Sequence, residues 1–151
     1  MQHLSLIVGG VVLLASCATA PGDDSPAGDT AGMGVPQQFR TEDFPGERRT
    51  MRVRVHLAAN GCFLGALPRV DGSGRHLIVW PADTEQGPSG DELRLPDGTV
   101  VRDRDLLVGE ALLMPARDLE GFGADSYWDF AVGFCTPEAS DVLVLDSVDP
   151  S

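Results

Sequence analysis

The chain has 151 residues, 42% of them apolar and 23% charged, with 23 acidic residues against 11 basic ones and a formal charge of −12. That length holds one domain with a tail and excludes an enzyme built from separate cofactor and substrate halves. The acidity argues against a general nucleic-acid binder, whose affinity comes from cations neutralising phosphates. All 11 basic residues are Arg, so Lys chemistry such as a Schiff base is excluded as well.

The apolar run from Leu4 to Ala15 has the length of a signal-peptide h-region and falls short of the roughly 20 residues that span a bilayer. It leads into Leu14-Ala15-Ser16-Cys17, an aliphatic residue and two small ones before a Cys. This resembles the lipobox of bacterial lipoproteins. The resemblance implies that residues 1–16 are removed as a signal peptide and that the Cys17 thiol carries a diacylglyceryl anchor. The alternative is an ordinary signal peptide cut at Ala18-Thr19-Ala20. Either reading sends the chain out of the cytoplasm, and the first places it on the outer side of the cell membrane.

Residues 17–49 then read as the lipidated Cys and a disordered tether. Pro, Gly, Asp, Ser and Thr dominate, as in Pro21-Gly22-Asp23-Asp24-Ser25-Pro26, with no apolar periodicity. A flexible tether of this length has an r.m.s. span of about 30 Å.

From residue 50 to 149 the pattern is that of short strands. Met51, Val53, Val55 and Leu57 alternate with Arg52, Arg54 and His56, and Asn60-Gly61 marks a turn before the strand Cys62 to Leu67. Asp71-Gly72-Ser73-Gly74 is a second turn, after which His76 to Trp80, apolar on both faces, reads as a central strand ended by Pro81. Thr84 to Gly90 reads as a loop, and Pro96-Asp97-Gly98 between Glu92–Leu95 and Thr99–Arg102 as a hairpin. Leu106 to Met114 is a strand with Gly109 as a candidate bulge. Tyr127 to Phe134 alternates as a strand with Trp128, Phe130, Val132 and Phe134 on one face, and Val142 to Leu145 forms the last strand. Thr136 to Ala139 has the chemistry of one helical turn.

Six or seven short strands in about 100 residues predict an all-β domain, a small β-barrel or sandwich. The order of elements resembles an OB-like Greek-key barrel. An immunoglobulin-like sandwich is the alternative, since Cys62, Trp80 and Cys135 follow that family's Cys, Trp, Cys order, although Gly133 stands where its Tyr would be. The domain also resembles small lipoproteins of high-GC Gram-positive bacteria. With Cys17 assigned to lipid, Cys62 and Cys135 make an even pair in an exported domain and predict a disulfide. The competing reading is a free nucleophilic Cys62 near His56.

Chemistry-bearing residues are sparse. Asp97, Asp103, Asp105 and Glu110 surround the hairpin, but Arg102 and Arg104 interleave with them, and no Ca²⁺-loop pattern is present. Ser73 lacks a nucleophile-elbow setting, and His56 and His76 stand without clustered ligands. The reading is therefore no cofactor, no metal and no catalytic residue. Two binding features stand out. Arg48, Arg49, Arg52 and Arg54 form a basic collar where tether meets domain, fit to touch anionic headgroups or wall polymers. Tyr127 beside Asp129 suits sugar or peptide contact. The expected function is a lipid-anchored extracytoplasmic binding or envelope-organising domain whose partner is a cell-surface protein or wall polymer. The alternative is a cell-envelope hydrolase using surface acidic residues.

Overall fold

The computed structural model describes residues 35–38, 44–68, 74–136 and 140–149. Cys17, the h-region, residues 18–34 of the tether and the Asp71-Gly72-Ser73 turn lie outside the described residues.

Alternation in the first strand sorts side chains by face as period two requires. β1 (Arg49–Leu57) buries Val53 and Val55 and exposes Arg52 and Arg54. Gly61, at φ 84°, supplies the left-handed residue that the Asn60-Gly61 turn needs before β2 (Phe63–Ala66). β3 (His76–Val79) is buried along its whole length. β7 (Leu106–Pro115) and β8 (Asp141–Leu145) complete a closed five-stranded barrel in the order β1-β2-β3-β8-β7. All pairings are antiparallel except β3 with β8, which run parallel with Leu77 opposite Val142 and Val79 opposite Val144. The last strand in sequence thus lies between the third and its own predecessor, the Greek-key order of an OB-like barrel.

Each wall has two faces, and the sequence parity assigns them to two cores. Val53, Val55, Phe63, Ile78, Trp80, Leu107, Ala111, Leu143 and Leu145 fill the barrel interior. Leu64, Leu77, Val79, Val142 and Val144, one residue out of step, form a second core outside the β2–β3–β8 wall. The cover over this wall is a helix, α1 (Tyr127–Cys135), which buries Trp128, Ala131 and Cys135 against it together with Phe44 and Leu119. A disulfide joins Cys62, in the β1–β2 connection, to Cys135 at the end of α1, with Cα atoms 5.8 Å apart. The predicted small disulfide-closed barrel is what the chain forms, and Cys62 is not a free thiol.

Several local expectations need correction. Tyr127 to Phe134 is helix, not strand. Ser126 accepts a hydrogen bond from the Asp129 N–H at 3.1 Å as N-cap, and Trp128, Ala131, Val132 and Cys135 repeat at helical spacing. Phe130 and Phe134 therefore leave Trp128's face and point outward. Thr136 closes α1 as C-cap, and residues 137–139 of the expected turn lie outside the described residues. The Thr84 to Gly90 loop contains β4 (Glu85–Gln86), which pairs with β5 (Glu92–Arg94), itself paired with β6 (Val100–Arg102), in a separate sheet whose Leu93 and Val101 join the barrel's interior core.

Gly109 is no bulge, since the β1–β7 register runs unbroken from Arg49 opposite Ala111 to Arg54 opposite Leu106. The barrel also begins to gather chain before residue 50: Gln38 N–H donates to Trp80 O and Trp80 N–H to Pro36 O, while Phe44 is buried edge-on against Trp128 at 5.8 Å. The sandwich alternative fails in two places. Cys135 ends a helix, and Trp80 lies in the interior core, on the other side of the wall from the disulfide.

Candidate functional site

An OB-type barrel offers the outer face of its β2–β3 wall and the neighbouring loops as its usual ligand platform. In this chain that face is already covered. The β7–β8 connection supplies α1, and the disulfide fastens it to the β1–β2 connection. Asn60 Nδ2 adds a hydrogen bond to Phe134 O at 2.9 Å across the same gap. Among the described residues no helix covers the outer face of the β1–β7 wall. Its outward residues are Thr50, Arg52 and Arg54 on β1, facing Glu110, Val108 and Leu106 on β7.

A groove of about 1030 Å³ opens there. Arg49, Arg52 and Arg54 line it with Glu47, over an aliphatic floor of Met51, Leu67, Pro68, Leu106, Val108, Leu112 and Leu113. Arg49 is paired with Glu47 at 3.2 Å, with both side chains largely in water, so this contact holds neither in place strongly. Among the described residues neither Arg52 nor Arg54 meets a carboxylate within 4.0 Å. Arg54 Nη1 donates to Arg104 O at 3.0 Å, which leaves the rest of its guanidinium free to donate. The site thus holds three cations and one anion above apolar carbon, suited to a partner with acidic groups beside apolar ones.

The four-Arg collar is not a unit. Arg48 turns away: its Nε pairs with Asp146 Oδ2 at 2.5 Å, and its Nη1 donates to Phe44 O and Gly46 O. This Arg pins the segment before β1 to the chain after β8, where Asp146 Oδ1 also accepts from Gln38 Nε2 at 2.9 Å. Its role is structural. Arg49, Arg52 and Arg54 do converge.

Tyr127 stands elsewhere, on α1, 43% exposed with its ring edge-on to Trp128 at 5.1 Å. Partial burial raises its phenol pKa. Phe130 and Phe134, 57% and 37% exposed, stack on each other beside it, and the strand reading had hidden both. The signal that could have found them is Ser126-Tyr127-Trp128-Asp129, a capping-box pattern ahead of an apolar run.

The acids of the hairpin region are occupied in shaping turns. Asp97 accepts from Thr99 N–H at 2.8 Å, Asp103 from Leu57 N–H at 2.9 Å and Asp105 from Arg102 N–H at 2.7 Å, while Glu92 pairs with Arg102. The backbone bonds from Thr99 and Leu57 lower the pKa of Asp97 and Asp103 respectively, opposite to the direction a general acid needs. Among the described residues no three His, Cys, Asp or Glu side chains gather as a metal site would require, and no helix is long and apolar enough to cross a membrane.

Fold and groove together define a disulfide-closed Greek-key barrel with one wall capped by its own helix and a groove along the β1–β7 wall. Compared with family models, with curated proteins and with solved structures, the chain matches none of them.

Proposed function

We propose that this protein is an extracytoplasmic binding domain, held to the membrane through lipid on Cys17, that recognises an acidic, partly apolar partner in the β1–β7 groove. The observation that carries the reading is the set Arg49, Arg52 and Arg54 above an aliphatic floor, in a protein whose formal charge is −12. A protein so acidic repels anions over most of its surface. Cations collected at one concave place, two of which meet no carboxylate among the described residues, bring an anionic partner there. The lipobox resemblance and the two-cysteine disulfide support an address outside the cytoplasm.

The experiment is a titration of the full chain with fluorescent polyglutamate as an acidic probe, read by anisotropy. The wild-type chain binds in a salt-sensitive way. The Arg52→Glu, Arg54→Glu double variant loses affinity at least about tenfold, which is about 1.4 kcal/mol. Its unfolding midpoint stays close to wild type, because exposed surface substitutions stay within about 0.5 kcal/mol. Equal binding by the two proteins would show that the groove does not bind the acidic probe.

A further inference from the structure

The acidic, apolar partner that the groove calls for is displayed by the chain itself. α1 turns Tyr127, Phe130 and Phe134 outward at spacings of three and four residues, so the three rings share one side of the helix. Asp129 lies on the exposed side of the same helix, Asp125 sits immediately before it, and residues 118–135 contain four acids and no Arg. The helix is held in this pose by the Ser126 cap at one end and the Cys62–Cys135 disulfide at the other. Exposed aromatic side chains on a fixed element lose little freedom when they bind, and such residues carry much of the energy of protein interfaces.

We infer that the α1 stripe of one copy of this chain docks into the β1–β7 groove of another. The two surfaces match in charge, acidic at the stripe and basic at the groove, and in apolar content, aromatic rings against the floor of Leu106 and Val108. They occupy different walls of the barrel, and the disulfide keeps α1 on its own β2–β3–β8 wall, so a chain cannot satisfy its own groove. The contact is heterologous and leaves an open groove and an open stripe at the two ends of each pair, so it propagates head to tail. An anionic membrane surface is a poorer occupant for the stripe, since the acids beside the rings repel it. Confinement of anchored copies to one surface raises their effective concentration and favours the contact.

This inference rests on the groove reading and names its partner. The test is sedimentation velocity on the full chain, solubilised in mild detergent, from about 1 to 100 µM, at low and high salt. Wild type forms a concentration-dependent series of dimers and larger species that shrinks as salt screens the charges. Arg52→Glu, Arg54→Glu has a broken groove and an intact stripe. Phe130→Ala, Phe134→Ala has the reverse, with Ala retaining the helix. Each variant alone, shown folded by circular dichroism, sediments at least tenfold less associated than wild type. Mixed together they form one-to-one dimers and nothing larger.

A wild-type chain that stays monomeric throughout overturns the inference, as does a mixture that fails to pair or a variant that assembles like wild type. If wild type is monomeric yet still binds polyglutamate through Arg52 and Arg54, the self-association is wrong and the groove reading stands. Loss of both removes both.

Discussion

Replacing Cys62 and Cys135 together by Ala is expected to cost about 4 kcal/mol of stability, a large fraction of the roughly 5–15 kcal/mol of a small domain. The magnitude follows from the loop that the bond closes, between residues 73 apart, whose freedom in the unfolded chain the disulfide removes. The bond also has a local task. α1 is nine residues long, shorter than the dozen or more at which isolated helices hold in water, and it is kept by packing of Trp128 and Ala131 and by its two fixed ends. Urea denaturation of the double variant measures the global loss. Hydrogen exchange across residues 127–135 measures the local one, and those amides should exchange faster than the strands. A loss below about 1 kcal/mol would mean that the helix and barrel hold each other without the covalent link.

The second large effect is at Gly109. A Cβ built there would lie 1.9 Å from the Ser147 carbonyl oxygen and 2.9 Å from its carbon, both backbone atoms. The chain after β8 crosses directly over β7 at this point, held by Asp146 N–H to Glu110 O at 2.9 Å and Asp149 N–H to Val108 O at 2.7 Å. No side-chain rotation relieves the clash, so Gly109→Ala must push the crossing segment off the strand. It should destabilise by about 3 kcal/mol, the upper end for overpacking. Gly133→Ala is the control. Its Cβ meets nothing within 4 Å on the exposed side of α1, and Ala there should stabilise by up to about 1 kcal/mol through helix propensity. Opposite signs at the two glycines, from the same chemical change, separate crowding from backbone freedom. Equal effects would contradict the close approach.

The barrel was legible where burial follows period two. Val53 and Val55 against Arg52 and Arg54 gave β1, and the unbroken apolar run at Leu77 to Trp80 gave a strand covered on both faces, which β3 is. The disulfide was legible from cysteine parity in a chain whose first residues read as an export signal. What misled was the segment from Tyr127 to Phe134, where aromatic residues at alternate positions mimic a strand while Trp128, Ala131, Val132 and Cys135 satisfy helical spacing. Tertiary burial of the second set decided between them, through a wall that the local sequence does not contain. Gly109 reads as a bulge from sequence alone because the residue it makes room for is Ser147, far along the chain. The same applies to the collar. Four Arg lie within seven residues, but Asp146 selects Arg48 for a structural ion pair and leaves Arg49, Arg52 and Arg54 to the groove. The groove's floor, drawn from β1, β7 and the chain just after β2, could be assembled only by the barrel's closure.

Occupation of the β1–β7 groove by a partner outside the cytoplasm is tested in place by arginine footprinting. Intact cells that produce the protein are treated with a membrane-impermeant, arginine-directed dicarbonyl, and the modified sites are compared by mass spectrometry with those of the purified, dilute chain. Exposed Arg94 and Arg117 should react on intact cells as they do in the purified protein, whereas Arg52 and Arg54 should react markedly more slowly on the cells. Arg52 and Arg54 reacting as fast on cells as in solution would contradict an occupied groove, and no labelling of any Arg before lysis would contradict the extracytoplasmic address.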